Sequence, residues 1–104
     1  MDIVLVVINF PNVAVARQIG TALIQEQVAA CVNLIPNIES IYLWEGKVEH
    51  ENEVAALVKT TAESYECLQA RVLDLHPYEN PELLLLPIEG GSKAYLQWVR
   101  ETVR

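Results

Sequence analysis

Two histidines, two cysteines, a row of glutamates and a lysine set among aromatic residues carry most of the chemistry open to this 104-residue sequence. Soft or borderline cations take thiolate or imidazole donors, and Cu(II) takes nitrogen and oxygen in a tetragonal set. The donors available for such a set are Cys31, Cys67, His50 and His76, scattered without local ligand spacing. His76 stands out as a weak metal ligand, and it can equally end a helix by donating to the last carbonyls. Glu49, Glu51 and Glu53 offer hard oxygen ligands along one strand face. Their i, i+2 spacing of about 6.6 Å is too wide for three monodentate contacts without bending. A solvated row of like charges, discouraging association through strand edges, explains them as well.

Catalytic patterns are scarce. Cys31 and His76 would form a thiol–imidazole pair only if the fold joined them. Cys31 is flanked by Ala29, Ala30, Val32 and Leu34, which predicts an inert, structural thiol packed as a small hydrophobe. The four glycines spell no G-x-S-x-G, P-loop or G-x-G-x-x-G. The expectation is therefore a non-enzyme with no catalytic residues and no obligatory cofactor. A ligand cleft is the remaining prospect, built from Tyr42, Trp44, Lys59, Tyr78, Glu79 and Glu82. An apolar wall with a few charged groups is the usual make-up of a small-ligand pocket. Alternatively the aromatics seal a subunit contact and Lys59 pairs with Glu82. A buried lysine should in either case have a carboxylate, because an unpaired buried charge is costly.

The elements that must position these groups follow from changes of period. Ile3 to Phe10 is an apolar first strand closed by Pro11. Asn12 caps a helix to about Gln27, with Ala16, Ile19 and Leu23 on one side. Gly20 inside it marks close packing of the helix on the sheet. Two long strands follow, Ala30 to Trp44 and Lys47 to Lys59, joined at Glu45-Gly46. Pro36 lacks a ladder donor and belongs at a bulge or edge. A second helix spans about Ala62 to Leu75 and stops before His76-Pro77. Glu82 to Ile88 is a further strand, whose four leucines suggest coverage on both faces and whose Pro87 belongs at an edge or bulge. Ser92 caps a short final helix with Tyr95, Trp98, Val99 and Thr102 inward. The order β-α-β-β-α-β plus a terminal helix, over a single domain of residues 1–104, is that of an α+β ferredoxin-like plait with an antiparallel sheet.

The hairpin is too long for such a domain. Thirteen extended residues from Lys47 to Lys59 would span about 43 Å, against a domain diameter of roughly 33 Å. Charged residues are 20% of the chain, below the usual share of about 25%, so part of its surface is expected to be covered by subunits. The net charge of -7 argues against partners with phosphate backbones or anionic membrane surfaces. Ile3 to Ile8 follows an acidic residue and is too short for a signal core or membrane span, so a cytoplasmic location with reduced thiols is expected.

The segments VAACVNLIP, SIYLWEGK, ALVKTT, HPYENPE and YLQW, in order along nearly the whole chain, resemble the CutA divalent-cation-tolerance family. That resemblance implies the ferredoxin-like plait and a tight homotrimer in which long hairpins extend neighbouring sheets. It also implies a part in tolerance of copper and other divalent cations, and the convergence of His76, Tyr78 and Lys59 around an aromatic wall suggests that a cation or small ligand is held weakly in clefts between subunits. Some relatives carry a cysteine in strand one and a histidine pair before the Pro-Tyr. Here those positions read Ile8 and Leu75-His76, leaving His76 alone. The trimeric shape is also similar to that of PII signalling proteins, which offers an alternative: a signalling module docking an unidentified protein partner.

Overall fold

Alternation in the first strand decides where the helices go. The structure, a computed structural model, describes residues 2–104. In β1 (Ile3–Phe10), Val4, Val6, Ile8 and Phe10 are buried while Leu5, Val7 and Asn9 are only half-buried. The buried set meets Ala16, Ile19 and Leu23 of α1 (Val13–Gln25) and Leu68 and Val72 of α2 (Tyr65–Leu75) in one core. With β2 (Cys31–Trp44), β3 (Lys47–Thr61) and β4 (Leu83–Pro87), β1 builds a four-stranded antiparallel sheet of order β2-β3-β1-β4. This is the ferredoxin-like plait. On the opposite face α3 (Lys93–Thr102) covers one end, packing Val99 and Val103 on Ile3 and Ala30. No helix among the described residues is long and apolar enough to cross a membrane.

Local sequence explains the joints. Asn12 caps α1 by accepting from the Val15 amide at 2.9 Å, and Ser92 caps α3 through Tyr95. A Cβ on Gly20 would lie 3.3 Å from Val32 Cγ1, so the glycine lets α1 press against β2. Glu45 and Gly46 both have positive φ, 48° and 78°, the geometry of a tight hairpin turn whose twist suits its strands. At Pro36-Asn37 the ladder skips from Ile35↔Ala55 to Ile38↔Glu53, a bulge with Asn37 at φ 61°. The proline thus sits where no ladder donor is required.

Several boundaries differ from those read in the sequence. α1 stops at Gln25 because Gln27 turns left-handed, at φ 59°, and its amide reaches back to Ile24. β3 continues to Thr61 alongside Ile3, which delays α2 to Tyr65. The leucines of β4 are not covered on both faces: Leu84, Leu85 and Leu86 are 55%, 41% and 43% exposed. In α3 only Val99 is buried, and Tyr95 and Trp98 lie on the surface.

The hairpin arms run for 14 and 15 residues, and the molecule measures 45 × 25 × 22 Å. The long axis exceeds the roughly 33 Å expected of a globular domain of this size. Near the tip Ile41, Leu43, Trp44 and Val48 are all at least 60% exposed.

Candidate functional site

Cross-strand register sets what the hairpin presents. Ile38, Ser40, Tyr42 and Trp44 pair with Glu53, Glu51, Glu49 and Lys47, so each set lies on one face with the other. The bulge shifts the parity of β2, which places Cys31, Asn33 and Ile35 on that face too. From the loop after α2, Tyr78 donates its hydroxyl to Glu53 Oε2 at 2.8 Å. Glu53 is therefore buried, unlike the solvated row expected, while Glu51 stays exposed. Burial, the bond to Glu53 and the nearby charges of Glu53 and Glu51 push the Tyr78 phenol well above its ordinary range. Burial first, then Glu51, Glu49 and Glu53, raise Tyr42 as well. Both phenols remain hydrogen-bond donors at neutral pH. Tyr42, Glu51, Glu53 and Tyr78 form one oxygen-rich cluster along the hairpin.

His76 positions that cluster rather than joining it. Its ring stacks on Phe10, with centroids 5.0 Å apart and planes 14° off parallel. Nε2 lies 2.7 Å from the Asn9 carbonyl oxygen, and Nδ1 lies 3.1 Å from the Tyr78 amide nitrogen. A carbonyl only accepts and an amide N–H only donates, so Nε2 carries the proton and Nδ1 gives its lone pair to Tyr78. A metal at His76 would have to break one of these bonds. The sequence had the ring closing α2; instead the His76 backbone amide does so, bonding Val72 at 2.8 Å, while the ring grips the end of β1. Among the described residues no three His, Cys, Asp or Glu side chains gather as a cation cage. The described donors of one chain do not by themselves fit a divalent cation.

The expected cleft divides in two. Lys59 lies six residues beyond Glu53 on β3, about 20 Å along the strand. Its ammonium donates to Asn33 Oδ1 and approaches Cys31 Sγ at 4.0 Å. The carboxylate predicted for it is missing: among the described residues no ion pair involves Lys59, and Glu82 instead accepts from Asn9 Nδ2 at 3.5 Å. Glu79 stays exposed, and Trp44 lies out at the tip. Cys31 is half-buried rather than packed in the core, because it pairs with Lys59 and so shares its face. Tyr95 of α3 stands beside it, its phenol raised by burial and by Cys31. Asn33, Tyr95 and the burial of Glu53 escaped sequence reading. Pro36 was the available signal, since the bulge it marks aligns odd positions before it with even ones after.

Known proteins match this chain along nearly its whole length. The family described as CutA1 divalent ion tolerance protein matches residues 4–102. The divalent-cation tolerance protein CutA of Thermus thermophilus is 48% identical over 96 residues, 92% of this chain and 93% of that protein. Protein CutA of Homo sapiens is 46% identical over 94 residues, 90% of this chain but 52% of the human protein, so the chain spans about half that relative's length. The crystal structure of CutA1 from Oryza sativa superposes with a TM-score of 0.98 at 36% identity, covering 100% of this chain and 95% of the other. With its motifs, its sheet order and these relatives in agreement, the chain belongs to the CutA1 divalent ion tolerance family.

Proposed function

We propose that the protein acts in divalent-cation tolerance as a non-enzymatic homotrimer that weakly holds a cation, Cu(II) foremost, or a small ligand between its subunits. The observation that carries this reading is the hairpin. Leu43, Val48, Ile41 and Trp44 are 70%, 66%, 62% and 60% exposed, a concentration of apolar surface that marks an interaction site. The sheet face carrying Leu84 and Leu86 is open as well. A second and third copy of the chain cover both, and the number three is what the family resemblance implies. Hairpins crossing into neighbouring subunits then bring the Tyr42–Glu51–Glu53–Tyr78 cluster of each copy to a seam. Oxygen donors from two chains supply there what one chain lacks.

Two measurements test the proposal together. Sedimentation should give three times the single-chain mass at micromolar concentration, and Cu(II) titration by calorimetry should give weak binding that is lost in Glu51→Gln. His76→Ala should bind Cu(II) as the natural chain does, since the imidazole is engaged at both nitrogens. A stable, well-folded single chain at micromolar concentration would refute the assembly, and with it the shared cation site.

A further inference from the structure

Around Lys59 the open sheet face is apolar, with Leu5, Leu57 and Leu86 beside it and the polar Asn9, Glu82 and Glu53 farther along. Across the ladder its neighbours are Leu5 on β1 and Cys31 on β2, and among the described residues its polar contacts are the neutral oxygen of Asn33 and the Cys31 sulfur, with no carboxylate. An ammonium covered by apolar surface with no counter-charge is strongly unfavourable, so whatever closes this face must bring an anion. The chain holds its own matching surface. From Glu45 to Glu53 it carries four glutamates against one lysine. Glu53 is buried on Tyr78 and Glu45 sits in the turn, which leaves Glu49 and Glu51 beside the aromatic bodies of Tyr42 and Trp44. Aromatic rings suit the apolar face, and the carboxylates between them suit Lys59.

We propose that Lys59 is the docking point for Glu49 or Glu51 from the hairpin of a second copy, an inter-subunit ion pair that fixes which way round the copies join. The proposal rests on the trimer reading, in which each contact is head to tail: one copy offers its hairpin, the next its sheet face. Lys59 then lacks an ion partner among the described residues because its partner arrives with assembly. Like charges set against each other at such a seam disfavour wrong registers, so the pair contributes specificity more than affinity.

Charge reversal with rescue, read by sedimentation over a dilution series, tests it. Lys59→Glu should raise the concentration for half-assembly at least about tenfold by setting like charges together. Adding Glu49→Lys or Glu51→Lys to it should bring that concentration most of the way back. Lys59→Met guards against misfolding of the reversed chain: it should weaken assembly less than Lys59→Glu, since the arriving carboxylate loses its partner but meets no like charge. In the Lys59→Met background neither glutamate reversal should weaken assembly as it does beside the natural lysine, the coupling expected of a true pair. Lys59→Glu assembling like the natural chain, or neither reversal rescuing it, overturns the pairing while leaving the trimer intact. A natural chain that sediments as a single subunit overturns the assembly itself.

Discussion

The two halves of β3 are built from similar residues and have opposite needs. From Val54 to Thr60 every second side chain is buried against the helices, and the strand is paired on both sides, with β1 and β2. From Lys47 to Asn52 no residue is buried, and pairing is with β2 alone. Valines occur in both stretches: Val58 is fully buried and Val48 is 66% exposed. Strand propensity therefore shapes both halves, while only one is held by contacts within the chain. Where packing comes from the chain itself, a defect should appear as lost folding stability. Where it comes from another copy, the loss should appear as weakened association.

The largest effect is expected in the body. Phe10 is 1% exposed and stacks on His76. Phe10→Ala removes a ring the core cannot fill and should destabilise the chain by about 3–5 kcal/mol. Denaturant unfolding at several protein concentrations should show a lower midpoint that still depends on concentration, because the proposed association surface is untouched. A loss below about 1 kcal/mol would mean that the body draws its stability from elsewhere.

Leu43 and Val48 pair across the two arms near the tip and supply the converse. Replacing both with serine should leave the helical circular dichroism of the single chain unchanged. Association should weaken by about 1–2 kcal/mol for each side chain, less than full burial yields because both are already partly covered. The unfolding midpoint should then lose its concentration dependence. Persistence of the assembly at nanomolar concentration would separate the tip from the interface.

The body was legible in the sequence because its residues answer to partners in the same chain. The apolar run of β1, the helical stripe of Ala16, Ile19 and Leu23, the cap at Asn12 and the close approach at Gly20 each express a local rule that the fold obeys. The site was legible only in part. Tyr42 and Trp44 share a face as their spacing requires, but the inference that Lys59 joins Tyr78 and Glu82 needed the folded path of two strands and a loop. That path turns on the change of parity at the Pro36-Asn37 bulge, which the proline marks without showing what it realigns, and on His76 pinning its loop to Asn9, a non-local contact. The inward stripe assigned to Tyr95 and Trp98 failed for a related reason: amphipathic spacing identifies an apolar face without saying that the same chain covers it.

The bond from Tyr78 to Glu53 lies where body and hairpin meet, and it sharpens the comparison through pH. The folded chain keeps the Tyr78 proton to higher pH than the unfolded chain, whose phenol titrates near the ordinary value of 10.0. Above that value the unfolded state gives up a proton that the folded state retains, so stability falls with rising pH; below it the full contribution is present. Tyr78→Phe removes this titration and leaves a buried Glu53 without its donor. The variant should lose about 1–3 kcal/mol at neutral pH and show a shallower decline above pH 10. Some decline should persist, because the Tyr42 phenol is raised too. Equal alkaline slopes in the two proteins would place the titration that matters away from this joint. A shallower slope with the concentration dependence of unfolding retained would show that the bond steadies the hairpin's base within one chain, and that only the reach beyond Glu53 depends on a neighbour.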